Sequence, residues 1–87
     1  MNIIRSSRFK KQYKKLPKNI QMRADARIRL FIVDPFNEIL RNHSLSGEYS
    51  NCRSINITGD YRIIYEENPK GVINFLLIGT HDELYGT

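Results

Sequence analysis

The segment Val72-Ile73-Asn74-Phe75-Leu76-Leu77-Ile78 and the segment that follows it, Gly79-Thr80-His81-Asp82-Glu83-Leu84-Tyr85, decide how this chain folds. The first segment has the length and apolar composition of a buried strand. The second places a glycine, a histidine, two carboxylates and a tyrosine directly after it. Because a rigid sheet holds such groups in fixed positions, we expect this strand exit to form part of a functional site.

The composition is typical of one small globular domain, which we expect to span residues 1–87. The chain is 40% apolar and 26% charged. A single cysteine, Cys52, excludes an internal disulfide and a cysteine-rich zinc site. No apolar run approaches the roughly 20 residues that cross a bilayer. The N-terminal residues become charged at once and contain no signal-peptide core, so we expect a cytoplasmic protein.

Positive charge is concentrated in the first third of the chain. Residues 1–30 hold ten Lys or Arg and one acid, whereas residues 31–87 hold four and eight, which together give the net charge of +5. This asymmetry favours a polyanionic or acidic partner at one end of the molecule. The alternative is that the lysines only solubilise a helix face.

Two helices are predicted in this basic region. Ser6 or Ser7 can cap the first, and Phe9, Tyr13 and Leu16 form its apolar stripe. The second helix is predicted over residues 18–33, after a proline that suits a first turn and before an Asp-Pro pair that disfavours helix. The two helices form a hairpin.

The rest of the chain predicts strands. We expect Phe36, Leu40 and Leu45 to pin residues 34–47 to the core as a loop. Strands are then predicted over 54–58, 61–65 and 72–78, joined by short turns, and a short β-like segment opens the chain. The predicted fold class is α+β, a two-layer β-α-α-β-β-β arrangement with the helical hairpin packed on a small, twisted, mainly antiparallel sheet.

His43 and His81 bracket the predicted sheet, so a meander can bring them to one groove. Histidine exchanges protons near neutrality, since its ordinary pKa is about 6.5. The alternative is that both are surface histidines. Two histidines among scattered carboxylates do not make a zinc site.

Four further residues are candidates because of their positions in or beside the strands. Arg53 and Arg62 can bind phosphate from a rigid base, or can be surface cross-strand partners. Asp60 is either a proton carrier or a turn residue, and Tyr61 is either a base-stacking residue or a core residue. With the histidines, these groups suit attack by a ribose 2′-hydroxyl on the adjacent phosphate, without a metal or another cofactor.

Four motifs carry a resemblance to a known family. They are His43-Ser44-Leu45-Ser46-Gly47, Arg53-Ser54-Ile55-Asn56-Ile57, Asp60-Tyr61-Arg62-Ile63-Ile64-Tyr65 and Gly79-Thr80-His81-Asp82-Glu83-Leu84-Tyr85. Together they resemble the RelE/ParE toxin superfamily, nearest its YafQ-like branch, over the whole chain. The His-x-Leu-x-Gly loop and the Gly-Thr-His-x-x-Leu-aromatic ending are the most specific parts.

The resemblance implies a toxin of a type II toxin–antitoxin pair that cleaves messenger RNA in the ribosomal A site. The products would be a 2′,3′-cyclic phosphate and a 5′-hydroxyl. The implied partners are a cognate antitoxin that wraps the toxin, messenger RNA and the ribosome. Operator DNA would be bound only through the antitoxin, and no membrane is involved.

The resemblance also assigns roles to residues. By the family pattern, the catalytic positions are His43, Asp60, His81, Arg62 and Tyr85. The chain departs from that pattern at Asn56, where the branch often has a second histidine, and at Tyr61, where it has tryptophan. The candidate RNA-binding residues are Arg53, Asn56, Tyr61, Lys10, Lys11, Lys14 and Lys15.

Two other functions share this fold. A ParE-like toxin inhibits DNA gyrase without RNA chemistry, although paired histidines are not expected in that branch. A degenerate member would keep only antitoxin binding, an alternative that the loss of a proton-handling group at Asn56 leaves open.

Overall fold

The structure is a computed structural model that describes residues 1–86. It contains five strands, three α-helices and two short 3-10 turns at Glu38–Leu40 and Gly47–Tyr49. In chain order the elements are β1 (Asn2–Arg5), α1 (Ser7–Lys14), α2 (Lys18–Val33), β2 (His43–Ser44), β3 (Arg53–Asn56), β4 (Tyr61–Glu67), β5 (Val72–Thr80) and α3 (His81–Tyr85).

The strands form one sheet in the order β1-β5-β4-β3-β2. β1 runs parallel to β5, and every other neighbouring pair is antiparallel. A bulge in β5 lies at Leu76, because Ile64 pairs with Leu77 while the next residue, Tyr65, pairs with Phe75. The bulge shifts the register by one residue, and it keeps both Phe75 and Ile78 on the same buried face.

Helix α2 has the predicted bounds, whereas α1 begins as predicted and ends at Lys14, two residues before Leu16 of the predicted stripe. The Ser6 side chain accepts a hydrogen bond from the Phe9 amide, which caps α1. Pro17 precedes α2, and the helix ends at Val33 before the Asp-Pro pair. Among residues 1–86, none of the helices has the length and apolar content needed to cross a bilayer.

The main core lies between these two helices and one face of the sheet. Its largest side chains are Phe9, Phe31 and Phe75, whose exposed fractions are 1%, 0% and 0%. The Phe75 ring lies 5.6 Å from the Phe9 ring and 5.8 Å from the Phe31 ring, centroid to centroid. The helical hairpin is therefore held to the sheet by a contiguous aromatic cluster.

The opposite face of the sheet carries a second, smaller apolar cluster. Its buried members are Cys52, Ile64, Leu77 and Leu84. Leu84 belongs to α3, which packs back onto β5 after the strand ends. Gly79 leaves room for this close return: a Cβ there would lie 3.2 Å from Glu83 Oε1 and 3.4 Å from Leu84 Cδ2, so the Glu83 side chain would have to shift by a few tenths of an ångström.

The predicted two-layer α+β fold is confirmed, with two additions. Residues 43–44, predicted as loop, form the edge strand β2, and residues 81–85 form helix α3. Leu40 is buried and Leu45 packs on the second cluster, as expected. The prediction for Phe36 was wrong, since its side chain is 66% exposed.

Candidate active site

A cleft of about 720 Å³ opens on the sheet face that the helical hairpin leaves uncovered. It is bounded by the segment before β3, by the ends of β3 and β4, and by α3. The residues that line it are Arg41, Asn42, His43, Leu45, Asn56, Arg62, His81 and Tyr85. Both histidines of the chain therefore face the same cavity, as the sequence led us to expect.

Strand register explains why these side chains share one face. His43 pairs with Ser54, and Ser54 pairs with Ile64 of the second cluster. Two residues further along β3, Asn56 pairs with Arg62. Because side chains alternate between faces, positions two residues apart point to the same side. The cleft is thus the polar continuation of the second apolar cluster.

The His43 ring is held by a backbone carbonyl group of the turn before it. Its ring Nδ1 lies 2.8 Å from the carbonyl oxygen of Arg41, two residues earlier. A carbonyl oxygen only accepts, so Nδ1 must carry the proton. In the neutral ring, Nε2 is then an unprotonated acceptor, which is the form that a general base requires.

His81 and Tyr85 are positioned by α3. Thr80 caps this helix through a reciprocal capping box with Glu83, and the His81 amide donates to the carbonyl oxygen of Asp60 at 3.0 Å. The His81 and Tyr85 rings lie 4.5 Å apart, centroid to centroid. His81 Nδ1 is 3.9 Å from a carboxylate oxygen of Asp82, beyond hydrogen-bond distance.

Tyr85 is supported on its other side. The Tyr49 ring meets it edge-on at 6.1 Å, and the Tyr49 hydroxyl donates to the Leu84 carbonyl oxygen at 3.1 Å. Leu84 itself is buried in the second cluster. Tyr85 therefore presents an aromatic ring at the wall of the cleft from a short but anchored helix.

Arg62 is fixed at one guanidinium nitrogen. Its Nη1 donates to the carbonyl oxygens of Thr58 at 2.9 Å and Tyr61 at 3.2 Å. Within residues 1–86 these two bonds engage Nη1 alone. Since a guanidinium has five N–H donors in a planar fork, Arg62 keeps donors for an anion in the cleft.

Asp60 and Tyr61, two predicted site residues, do not line the cleft. Asp60 lies in the β3–β4 turn and is exposed, and its contact with the site is the backbone bond to His81. Tyr61 alternates with Arg62 along β4, so it packs against the main core on the helix side. Of the two alternatives for Tyr61, base stacking and packing in the core, the structure shows packing against the core.

Arg53 and the four lysines also lie outside the cleft. Arg53 Nε donates to Asn42 Oδ1 at 2.7 Å, and its guanidinium lies over the Phe36 ring at 5.2 Å. The lysines are on or just after α1, in the helical layer. Lys10 and Lys14 line a separate groove beside α2, and Lys15 lines a third pocket.

Sequence reasoning missed two polar residues of the cleft, Arg41 and Asn42. Both directly precede His43, and that adjacency was the available signal. Arg41 has φ 47°, in the left-handed region that non-glycine residues rarely adopt. It adds a second cation to the cleft beside Arg62.

The described part of the chain offers no cluster of three or more His, Cys, Asp and Glu side chains able to hold a metal ion. Cys52 is buried, and burial raises the pKa of its thiol, with nearby Glu66 adding to the effect. A thiol in this environment is a poor nucleophile, and Cys52 packs as a buried member of the second cluster.

Comparison with known proteins identifies the family. The model of the family described as the bacterial toxin of type II toxin–antitoxin systems, YafQ, matches residues 1–86. The chain belongs to the YafQ toxin family. It is therefore a toxin of the type II toxin–antitoxin class.

Solved structures show the same fold at low identity. The crystal structure of YafQ from E. coli is 22% identical, covers 98% of each chain and superposes with a TM-score of 0.83. The E. coli DinJ–YafQ toxin–antitoxin complex has a TM-score of 0.80 at 22% identity, covering 98% of this chain and 97% of that one.

An archaeal relative shares the fold as well. The RelE–RelB complex from Pyrococcus horikoshii is 24% identical over 91% of this chain and 92% of that one, with a TM-score of 0.72. No curated protein matches the chain. This member of the YafQ family thus keeps the family fold and places two histidines, Arg62 and Asn56 in one cleft.

Proposed function

We propose that this YafQ-family toxin is a ribosome-dependent endoribonuclease that cleaves messenger RNA by acid–base catalysis. The observation that carries the proposal is the cleft itself, in which His43, His81 and Arg62 face one cavity. These are the groups that an RNA-cleaving site needs: a base, an acid and a cation beside the phosphate.

His43 would be the general base. Its Nδ1 proton is committed to the Arg41 carbonyl oxygen, so the neutral ring offers Nε2 to a ribose 2′-hydroxyl. Nε2 takes the hydroxyl proton while the 2′-oxygen attacks the adjacent phosphorus. A new P–O bond forms, and negative charge develops on the phosphoryl oxygens.

Arg62 would stabilise that charge through the guanidinium donors that its backbone bonds leave available. His81, on α3, would donate a proton to the departing 5′-oxygen as the P–O bond to it breaks. The products are a 2′,3′-cyclic phosphate and a 5′-hydroxyl; His43 has gained the proton of the 2′-hydroxyl, and His81 has given one proton to the 5′-oxygen. Water exchange then restores both rings.

The remaining residues would bind and orient the RNA. Tyr85 would stack on a base near the scissile phosphate, and Asn56 would hydrogen-bond the substrate from the strand beside Arg62. Asp60 would act through its backbone, by holding the His81 amide at the start of α3. The lysines of α1 would contact ribosomal RNA, and this electrostatic contribution to binding would weaken steeply as the salt concentration rises.

A cognate antitoxin is the proposed protein partner. The family is defined by type II toxin–antitoxin systems. Two solved relatives with this fold are complexes with DinJ and with RelB. Operator DNA would be bound only through that antitoxin, and the toxin would act in the cytoplasm, where ribosomes are found.

The test is to map the 5′ ends of messenger RNA in a translating extract that contains the purified toxin. We expect new ends at codon spacing with wild type, and at least about 100-fold fewer with His81→Ala or Arg62→Ala. Arg29→Ala is the matched control, because Arg29 is an exposed arginine on α2.

Two outcomes would contradict the proposal in different ways. If wild type gives no codon-spaced cleavage in the extract, the nuclease function is wrong, and gyrase inhibition becomes the function to test with a supercoiling assay. If cleavage persists undiminished in His81→Ala, the function stands and the role given to His81 is wrong.

A further inference from the structure

Asn42 lies directly before His43 and joins three separate parts of the fold. Its Nδ2 donates to the Pro35 carbonyl oxygen at 2.9 Å and to the Tyr65 hydroxyl at 2.7 Å. Its Oδ1 accepts from Arg53 Nε at 2.7 Å. A half-buried amide with three such bonds is fixed in both position and orientation.

Two of the three partners belong to the sheet. Arg53 of β3 and Tyr65 of β4 are directly opposite each other in the antiparallel ladder. Tyr65 is 3% exposed, and burial raises the pKa of its hydroxyl, so the group stays neutral and keeps its hydrogen-bonding role across the neutral range. The Asn42 amide is therefore anchored to rigid neighbours.

Asn42 also lies within the turn that positions the His43 ring. Arg41 adopts a left-handed backbone conformation with φ 47°, and its carbonyl oxygen holds His43 Nδ1 at 2.8 Å. A left-handed residue is common where a helical turn ends, and Arg41 ends the 3-10 turn Glu38–Leu40, its amide donating to the Glu38 carbonyl oxygen at 3.2 Å. The side-chain bonds of Asn42, the next residue, hold the chain where it leaves that turn.

We propose that Asn42 is a positioning residue for His43. Its side-chain amide fixes the Arg41–His43 turn, the turn aims the Arg41 carbonyl at Nδ1, and the bare Nε2 of His43 is thereby presented to the cleft. Calling the positioned group a general base rests on the proposed nuclease function. The claim that Asn42 sets the tautomer of His43 concerns the structure alone and does not rest on that function.

The structural claim is tested by NMR. Long-range proton–nitrogen spectra, recorded where imidazole is neutral, show which ring nitrogen carries the proton. In wild type we expect His43 to be protonated at Nδ1, whereas a free histidine favours Nε2. In Asn42→Ala the His43 signals should shift toward the free pattern, and the His81 signals should stay unchanged.

Matched variants keep this test decisive. Asn37→Ala removes another amide of the same segment, whose bonds to Asp34 and to the Ile39 amide are local, and it should leave the His43 tautomer unchanged. Tyr65→Phe deletes one hydroxyl partner of Asn42 and keeps the ring in the core. Tyr65→Phe should lower the share of His43 that is protonated at Nδ1 by part of the full effect, and it provides a test even if Asn42→Ala does not fold. A wild-type tautomer in folded Asn42→Ala or Tyr65→Phe would overturn the proposal.

The cleavage assay separates positioning from direct substrate contact, because Asn42 also lines the cleft. We expect Asn42→Ala to lower the rate about 100-fold, as small misplacements of catalytic groups do. The double variant Asn42→Ala/His43→Ala should be no slower than His43→Ala alone. Additive losses would mean that Asn42 acts on the substrate and not through His43. If wild type does not cleave RNA, the nuclease function fails while the tautomer result still decides the role of Asn42.

Discussion

The two faces of the sheet are built from the same strands and differ in almost everything else. One face is covered by the helical hairpin and holds the aromatic core around Phe75. The other carries the small cluster beneath α3 and then opens into the polar cleft. Neighbouring residues divide between them: Ile63 is buried in the main core, and Arg62 lines the cleft.

This division shows how an 87-residue chain can hold polar catalytic groups without losing its fold. A domain this small has a stability of only about 5–15 kcal/mol, so polar groups in its main core would be costly. Because side chains alternate along a strand, one strand can place apolar side chains in the core and polar side chains in the cleft. Substitutions on the two faces should therefore have separable effects.

The largest expected effect is on the helix-covered face. Phe75→Ala removes a fully buried ring that contacts the rings of Phe9, Phe31 and Tyr65. We expect the free energy of unfolding to fall by about 3–5 kcal/mol, measured by urea denaturation. Arg62→Ala on the cleft face is the control and should cost about 1 kcal/mol or less. A loss below about 1 kcal/mol for Phe75→Ala would remove the distinction between the faces.

Sequence patterns predicted the helix-covered face well because burial leaves a periodic signal. The stripe of Phe9 and Tyr13, and the apolar run from Val72 to Ile78, identify their elements directly. Arg62 became a candidate because it lies among apolar residues within a predicted strand. The positions of His43 and His81 at the two ends of the predicted sheet made them candidates, and the family resemblance assigned them catalytic roles.

The cleft face was harder to predict because its elements are short and its contacts are distant in sequence. β2 has only two residues, too few for any periodic signal. Helix α3 has five, and its signal was the capping-box pattern of Thr80 and Glu83, which the sequence analysis did not use. The partnership of Asn42 with Tyr65 spans 23 residues and depends on the folded sheet.

Two helix caps provide a matched pair of intermediate effects. Thr80 caps α3 beside the cleft, and Ser6 caps α1 on the helix side. We expect Thr80→Ala and Ser6→Ala each to cost about 0.5–2 kcal/mol in urea denaturation. Cleavage should fall in Thr80→Ala, because α3 carries His81 and Tyr85, and should be unchanged in folded Ser6→Ala. Equal cleavage by both variants would argue against a catalytic role for α3.

Two tyrosines on the helix side should contribute to the pH dependence of stability above neutrality. The Tyr13 hydroxyl donates to Asp25 at 2.7 Å, and that bond, helped by burial, raises the pKa of Tyr13. Burial likewise raises the pKa of Tyr65. Unfolded tyrosines ionise near pH 10, whereas the folded ones keep their protons to higher pH.

The sign follows from this difference. The stabilisation is fully present below about pH 10 and is lost as the pH rises further, since the unfolded chain then binds fewer protons. We expect urea midpoints to fall between pH 9 and pH 11, less steeply in Tyr13→Phe/Tyr65→Phe. An equally steep fall in that double variant would show that other groups are responsible.

The smallest expected effect is at Ser54 in β3, which pairs with His43 of β2 and Ile64 of β4. Ser54 is 0% exposed, and its hydroxyl has no hydrogen-bond partner among the residues that the structure describes. Ser54→Ala removes this hydroxyl, and removing a buried polar group that has no partner is neutral or stabilising. We expect Ser54→Ala to raise the free energy of unfolding by about 1 kcal/mol at most, with unchanged cleavage. A loss of cleavage would give Ser54 a role beside His43, its partner in the ladder.

The most direct test of this division is a paired measurement on one preparation of His81→Ala. The first quantity is the rate of codon-spaced messenger RNA cleavage on ribosomes, and the second is the free energy of unfolding. We expect cleavage to fall at least about 100-fold, with a stability change of about 1 kcal/mol or less. Undiminished cleavage would contradict the assignment of the site, and a loss of cleavage caused by unfolding would contradict the separation of the two faces.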